Sequence, residues 1–268
     1  MICARRVALD GVQLDQANSA IVISGIESGE GKTSLSAVSL AGGFGQRLTG
    51  RHRDTLDITV SFAINVKKTN LSGRASALED ANEWAARAIN GAWLTVNYKT
   101  NRRIWVVLAQ APGEGSLWDY TKNFQIVFRA YGVPYWEEIE ASSTAELSAG
   151  TLKTGTITVS GNADTVADLV LTNESESTVN ACTVTVDGHS FNFDSLGLAV
   201  GESLVISHEN DGVLKIRILE TDEDYRDAMS KRLPTSADDL NCRTGSRSIS
   251  FTSDYSCSMT VSCKGRYL

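Results

Sequence analysis

The stretch from Gly25 to Thr33 carries the residue types of a phosphate-binding loop, because it ends in Gly-Lys-Thr and follows the short apolar run 20–24. Such a loop has four residues between its first glycine and this ending. Here there are five, and Ile26 occupies the position that requires glycine. Glu27 and Glu30 would repel phosphate, and residues 34–40 alternate like a strand, whereas a phosphate loop must open a helix. The sequence therefore predicts no nucleotide site.

Other residues that could do chemistry are scattered. His52, His189 and His208 stand in unrelated contexts, and the sequence has no Ser/His/Asp order, metal-ligand pair or dinucleotide glycine fingerprint. The adjacent pair Glu137–Glu138 has the residue type of a glycosidase, but neighbours on a strand point to opposite faces. We therefore expect no enzyme and no catalytic, cofactor-binding or metal-binding residues.

The five cysteines share no metal-binding spacing and are odd in number. Two of them alternate with apolar residues in the run 257–263, and a third lines up with the valines of 182–186. We interpret them as free thiols, mostly buried in a β core. They are Cys3, Cys182, Cys242, Cys257 and Cys263.

A glycine-rich, basic stretch over residues 41–54 contains Arg47, Arg51 and Arg53. One interpretation is a flexible surface turn, and the sequence by itself favours it. The other is an extended arm that carries the three arginines to a neighbouring subunit, where their planar guanidinium groups could bind carboxylates. These arginines are the candidate subunit-interface residues.

The element that must position the first half is the stretch 54–66, in which apolar residues fall on every second position. A strand turns successive side chains to opposite faces, so this spacing predicts one apolar face and one mostly polar face. A single strand is not stable in water and needs partners. The apolar residues are Leu56, Ile58, Val60, Phe62, Ile64 and Val66.

One helix is predicted after this strand. Ser76 and Glu79 have the spacing of a capping box, and Asn90-Gly91 supplies a stop. Further strands are predicted at 92–98, 104–110 and 124–130. The first part thus reads as a β-sandwich or barrel with one helix. The apolar stripe of the helix is Leu78, Ala81, Trp84, Ala85, Ala88 and Ile89.

The pattern changes at about residue 141 to short strands that are rich in Thr and Val and separated by turns. This spacing is typical of a β-sandwich or jelly roll. An acidic helix is predicted over 222–232. The strands are expected at 154–160, 167–173, 181–187, 189–194, 203–207, 213–219, 247–252 and 257–263.

Composition supports two domains, 1–140 and 141–268. The first holds 15 Lys and Arg against 14 Asp and Glu, the second 10 against 18, and all five tryptophans lie in the first. An acidic second half argues against a nucleic-acid site, because phosphate binding needs clustered Lys and Arg. No apolar stretch has the length of a membrane span, and the N-terminus lacks a secretory pattern, so we expect folding in a cytoplasm.

The order of these features resembles a known family. Residues 53–62, 81–87, 93–98 and 124–136 together resemble the N-terminal domain of distal tail proteins of long-tailed, non-contractile bacteriophages. The closing stretches 245–251 and 259–268 are similar to the C-terminal, galectin-like sandwich of that family.

The resemblance implies a homo-hexameric ring at the tail tip, formed by 1–140, with a galectin-like domain over 141–268 projecting outward. The ring would join the tail tube protein to the tail-tip hub (the tail-associated protein) and the adhesion apparatus, with a receptor-binding protein as a further candidate partner. The protein would be part of the virion and made in the bacterial cytoplasm. No catalytic residues come with this family.

Two other classes stay open at this point. A carbohydrate-binding adhesin would explain the second domain but not the tryptophan-rich first one, and the second domain has no tryptophan to stack on a sugar. A tail-tube subunit with an added decoration domain would explain the first domain. We expect an adhesin to be monomeric, a tube subunit to polymerise without limit, and a distal tail protein to stop at a closed ring.

Overall fold

A computed structural model describes residues 6–29, 33–39, 46–67, 69–113, 123–141 and 143–268. The chain divides into two compact units, Met1–Trp136 and Glu137–Leu268. Each unit is built mainly from antiparallel strands, which confirms the predicted mainly-β class. That the two units fold separately stays a prediction.

In the first unit, the strands of the main sheet are hydrogen-bonded in the order β2-β1-β7-β8-β9-β6-β3, and β4 and β5 form a separate hairpin. The last strand, β10, contains the division between the units. The elements are β1 Val7–Leu9, β2 Val12–Gln13, α1 Leu14–Ala17, β3 Ile21–Ser28, β4 Thr33–Ser39, β5 Gln46–Arg53, β6 Leu56–Ile64, α2 Leu71–Ala86, β7 Ala92–Val96, β8 Arg102–Gln110, β9 Phe124–Ala130 and β10 Trp136–Glu138.

The central strand β6 confirms the prediction from alternation. Every second residue from Leu56 to Ile64 is buried and the residues between are half-buried, so one face of the strand enters the core. The core is aromatic: the rings of Phe62 and Phe124 stack at 5.5 Å, and Trp84 of α2 meets Phe128 edge-on at 5.8 Å. The helix therefore covers one face of the sheet. Burying each of these side chains contributes about 1.5–3 kcal/mol.

The predicted start of the helix is wrong. The helix begins at Leu71, because the side chain of Asn70 accepts a hydrogen bond from the Gly73 amide at 3.0 Å and caps the first turn. Ser76 is therefore an exposed residue inside the helix. The apolar stripe is correct except at Ile89, which lies beyond the last turn and is 58% exposed. A further one-turn helix, α1, was not predicted.

The favoured interpretation of 41–54 as a flexible turn is wrong over its second half. Residues 46–53 form strand β5, which pairs with β4 from Ser39↔Gln46 to Thr33↔Arg53. Pairing with a partner strand satisfies the backbone of this glycine-containing stretch. Residues 41–45 lie outside the described part.

In the second unit the strand order is β14-β13-β19-β12-β15-β16-β17, with β11 also on β19 and β18 also on β12. A 3-10 turn spans Met229–Lys231. The strands are β11 Ser143–Val159, β12 Thr165–Asn173, β13 Cys182–Val186, β14 His189–Phe193, β15 Ser203–His208, β16 Leu214–Leu219, β17 Tyr225–Asp227, β18 Asn241–Cys242, β19 Gly245–Cys263 and β20 Arg266–Tyr267.

Strand β19 organises the second unit. Its first half pairs with β13 and its second half with β12, while β11 follows it along its length with register shifts around Gly150. Bulges of this kind bend a strand and let it take part in two pairings. The predicted strands 247–252 and 257–263 are thus two parts of one long strand.

The described thiols lie in the core of the second unit. Cys182, Cys242, Cys257 and Cys263 are free and buried, as predicted for them, and burial raises the pKa of Cys182. Cys3 lies outside the described residues.

The acidic helix predicted over 222–232 is wrong. Glu220 and Asp224 close a turn through a backbone hydrogen bond of 2.9 Å, and β17 then pairs with β16 in the register Leu219↔Tyr225. The neighbouring strand offers backbone hydrogen bonds to residues 225–227, and these outweigh the weak helix propensity of an acidic run.

Candidate assembly interface

The hairpin β4–β5 carries the three arginines that the sequence singles out. A register shift between Ser36 and Ala37 puts one extra residue into β5. Because paired positions of an antiparallel ladder share a face, positions 51 and 53 lie on one face of the ribbon and position 47 on the other. The side chains of Arg47 and Arg51 lie outside the described part, so the site is built from Arg53.

Arg53 ends β5 and is half-buried. Its guanidinium carbon lies 4.8 Å from the centroid of the Tyr135 ring. Its Nε and Nη1 atoms are buried and have no hydrogen-bond partner among the described residues. A buried polar group left unsatisfied costs about 1–3 kcal/mol, and more when the group is charged. Arg53 therefore has unused donor capacity at a partly dehydrated place.

Lys99 lies in the turn between β7 and β8. The turn is closed by a hydrogen bond from the Lys99 amide to the Val96 carbonyl at 3.1 Å, and Asn101 has the left-handed conformation with φ 58°. The Lys99 Nζ atom is 4.7 Å from the centroid of the Trp136 ring, which is only 1% exposed. The turn thus holds an ammonium group against a buried aromatic face.

The electrostatics of Lys99 show that further positive charges are close. Burial lowers the pKa of Lys99, and the charges of Arg102 and Arg53 lower it further. We call Arg53, Lys99 and Arg102, with the rings of Tyr135 and Trp136, the cationic cluster. Within this cluster Arg53 has the unused donors, and a guanidinium group beside an aromatic face can bind an anionic group such as a carboxylate.

The sheet face opposite α2 carries a second aromatic group. Trp93 and Trp105 pack edge-on at 5.1 Å, and the Arg103 guanidinium lies 3.7 Å from the Trp93 ring centroid. Gly91 is required beneath them, because it has φ 97° and a Cβ there would approach the Trp105 ring to 2.4 Å. Half-buried Trp and Arg are the residue types that dominate binding energy at protein interfaces.

In the second unit a histidine is held between two carboxylates. His208 is 6% exposed in its side chain, and its Nδ1 and Nε2 atoms lie 3.0 Å and 2.8 Å from Asp168 and Asp239. Burial disfavours the charged imidazole, but the two hydrogen bonds outweigh burial and raise the pKa of His208 to about 9. The imidazolium therefore ties β15, β12 and the segment before β18 together.

The other candidates from the sequence serve structural roles where they are described. Gly25 lies within β3, and the residues after Lys32 form β4, so a strand follows the glycine-rich stretch as predicted. Glu138 accepts hydrogen bonds from Ser160, Gly265 and Tyr267, the last at 2.7 Å. Its carboxylate is thus part of the packing of the second unit.

Sequence reasoning missed most members of the cationic cluster. The stretch 99–103 lies between the predicted strands 92–98 and 104–110, and its three basic residues were the available signal. In the structure Arg102 and Arg103 already belong to β8. Nothing in the sequence places Tyr135 or Trp136 beside that turn. The contacts of His208 also left no signal, because Asp168 and Asp239 are 40 and 31 residues away.

Two limits on the chemistry apply to the described residues. Within them, no group of three or more His, Cys, Asp or Glu side chains could hold a metal ion. No helix among them combines the length and apolar character that crossing a membrane requires.

Comparison with known proteins gives structural matches. No protein-family model matches the sequence, and no curated protein sequence matches it. The Dit protein (gp 19.1) of SPP1, described as a paradigm of the hub adsorption apparatus in phages infecting Gram-positive bacteria, matches 99% of this chain over 100% of its own. The TM-score is 0.67 at 13% identity.

Two structures of the phage P2 baseplate in its activated conformation also match. The structure with Ca gives a TM-score of 0.52 and that with Sr 0.51, each at 9% identity over 98% of both chains. At such identities the similarity establishes the fold. It extends over both units of the chain.

Proposed function

We propose that this chain is a structural protein of a long, non-contractile phage tail. Its first unit forms a hexameric ring at the distal end of the tail, and its second, galectin-like unit projects outward. The ring joins the tail tube protein to the tail-tip hub (the tail-associated protein) and the host-adhesion apparatus, with a receptor-binding protein as a further candidate partner. The protein acts in the virion, after synthesis in the bacterial cytoplasm, and performs no catalysis.

The observation that carries this proposal is the match to the SPP1 Dit protein over 99% of this chain and 100% of that one. A protein that shared only a sandwich module would match over one unit. The unused donors of Arg53 and the aromatic–cationic face of Trp93, Trp105 and Arg103 add support, because they are surfaces suited to protein contacts.

The mass of the purified full-length protein under native conditions tests the proposal. We expect one closed oligomer with the mass of six chains, visible as rings by negative-stain electron microscopy. A protein that stays monomeric at every concentration would fit the adhesin class instead. Assemblies that grow without limit would identify a tail-tube subunit. Either result overturns the proposed ring.

We further propose that the β4–β5 hairpin takes part in the subunit contact through Arg47, Arg51 and Arg53. A head-to-tail contact uses two different surfaces and closes only by rotation, so a ribbon that is separate from the main sheet suits one of the two surfaces. Replacing all three arginines with glutamate should stop assembly at monomers.

A matched control makes the same change in charge elsewhere on the first unit. Arg6, Lys67 and Arg87 are exposed, and their replacement with glutamate should leave ring formation intact. Rings that persist in the hairpin variant at ordinary salt would show that the hairpin is only a surface element. Loss of rings in both variants would attribute the effect to net charge.

A further inference from the structure

The turn that connects helix α2 to strand β7 contains Asn90-Gly91, the one Asn-Gly pair in the sequence. The Asn90 side chain is exposed and makes no hydrogen bond to a described residue. An asparagine side chain carries an electrophilic amide carbon, and the backbone nitrogen of the next residue can cyclise onto it. Glycine at that next position hinders this attack least, because it has no side chain.

The fold requires glycine at position 91. Gly91 has φ 97°, in the left-handed region, and an added Cβ atom would lie 2.4 Å from the Trp105 ring. Trp105 in turn packs edge-on against Trp93 at 5.1 Å. The packing of the two tryptophans therefore keeps, directly after Asn90, the residue type that hinders cyclisation least.

The hydrogen bond that holds the attacking nitrogen is weak. The Gly91 amide donates to the Ala88 carbonyl at 3.3 Å, which is longer than most bonds of this kind. The same carbonyl accepts a hydrogen bond from the Leu108 amide at 2.8 Å. Because the Leu108 bond still satisfies this carbonyl, releasing the Gly91 amide leaves no buried acceptor without a partner. The Gly91 nitrogen can therefore turn toward Asn90 at low energetic cost.

We infer that Asn90 is a site of spontaneous deamidation and that this modification loosens the packing of Trp93 against Trp105. The Gly91 nitrogen attacks the Asn90 Cγ atom, its proton passes through solvent to the side-chain amide, and ammonia leaves. The resulting succinimide then takes up a water molecule. Attack of water on the side-chain carbonyl gives aspartate. Attack on the backbone carbonyl gives isoaspartate, in which the main chain runs through Cγ.

Isoaspartate changes the backbone as well as the charge, because it lengthens the main chain by a methylene group. On one side of the turn Ala88 is fully buried. On the other side Asp10 holds the Trp93 amide and carbonyl through hydrogen bonds of 2.9 Å each. The added length must therefore be taken up near Gly91, beneath the Trp105 ring. We expect the ring to be displaced, since packed groups have little free space around them.

Peptide mapping by mass spectrometry, after storage of the folded full-length protein in mildly alkaline buffer, tests the modification. We expect the mass change of an amide-to-acid conversion at Asn90, together with isoaspartate, at a rate that rises with pH because the attacking nitrogen must lose its proton. Asn101 is the comparison within the same chain. It is also exposed, but Arg102 follows it, so its conversion should be at least about tenfold slower. If only the urea-unfolded chain is modified at Asn90, the fold protects the pair and the inference is wrong.

Circular dichroism tests the effect on packing, because two tryptophan rings in contact give a signal that depends on their geometry. The contribution of this pair is identified by its loss in Trp105→Phe. It should decline as isoaspartate accumulates. Asn90→Gln cyclises far more slowly and should keep the signal, whereas the matched control Asn101→Gln should lose it like the wild type.

Modification at Asn90 with an unchanged signal would overturn the inference that the packing loosens. A decline in Asn90→Gln at the wild-type rate would do the same. Neither measurement requires assembly. A protein that stays monomeric therefore overturns the proposed function and leaves this inference standing.

Discussion

The two units differ in the contacts that their positively charged side chains make. In the first unit, cations lie over aromatic rings: Arg53 over Tyr135 at 4.8 Å and Arg103 over Trp93 at 3.7 Å, with Arg129–Asp57 as a well-formed ion pair. In the second unit, ion pairs predominate among the described residues, although Arg217 lies over Tyr225 at 4.7 Å and Arg232 over Phe191 at 5.0 Å. The ion pairs include Arg243–Asp187 at 2.8 Å, Arg226–Glu220 at 2.9 Å, Lys215–Glu209 at 3.5 Å and the doubly paired His208.

This difference has a physical meaning. When both members of an ion pair lie in the same unit, neither charge needs a partner on another chain. In the pair Arg243–Asp187, the hydrogen bond from Arg243 lowers the pKa of Asp187 to about 2. A cation over an aromatic ring still has N–H groups to donate. Most of the described arginine and lysine side chains in the ion pairs belong to the second unit, whereas Arg53 of the first unit has two buried nitrogen atoms without a partner among the described residues. That difference is compatible with the proposal that the first unit assembles and the second projects.

The largest expected effect tests whether the units are independent. Trp84→Ala should destabilise the first unit by about 3–5 kcal/mol, because it removes a buried ring that packs against Phe128 and donates to the Val12 carbonyl at 2.7 Å. Calorimetry of the full chain should show the unfolding transition of one unit at lower temperature and the other unchanged. A single transition that moves as a whole would contradict the independence of the two units.

A smaller effect should come from the paired histidine of the second unit. The folded pKa of about 9 exceeds the ordinary value of 6.5, so the folded state holds the proton more tightly than the unfolded chain. The stabilisation that protonated His208 gives the folded state is complete below pH 6.5 and is lost as pH rises to about 9. It amounts to about 3 kcal/mol. The stability of the second unit should therefore fall over this range, as measured by urea denaturation at a series of pH values.

Two variants isolate this effect from the titration of other groups. His208→Gln should lower stability at neutral pH and remove most of the decline between pH 6.5 and 9. His189→Gln changes a histidine that pairs with Val186 at the start of β14 and should leave the decline intact. If the decline is the same in both variants, the imidazolium does not hold the segment as the geometry indicates.

Much of the fold could be predicted because alternation is a local property. The strands β6, β9, β12 and β13 lie where apolar residues occupy every second position, and burial follows that spacing. The secondary structure was predicted wrongly where pairing with a neighbouring strand determined the conformation. Residues 225–227 pair with β16 instead of continuing a helix, and residues 46–53 pair with β4 instead of forming a turn.

The candidate site was less predictable than the fold. The cationic cluster joins Arg53, Lys99 and the ring of Tyr135, which come from three separate parts of the chain. A single sequence does not show which distant residues are close in the fold. The signal of a helix cap or an alternating strand, by contrast, lies within a few consecutive residues. The start of α2 shows that even local signals compete, because Asn70 and Ser76 both offer a cap.

This competition gives the prediction with the smallest effect. The Asn70 side chain accepts from the Gly73 amide at 3.0 Å, and the Ser72 hydroxyl donates to the same oxygen at 3.1 Å. Asn70→Ala removes this cap and should destabilise the first unit by about 1 kcal/mol. Ser76→Ala should change stability little or increase it slightly, because Ser76 is an exposed residue inside the helix, where alanine has the higher propensity. Urea denaturation of both variants measures these effects. If Ser76→Ala destabilised the unit more than Asn70→Ala, the helix would begin at Ser76.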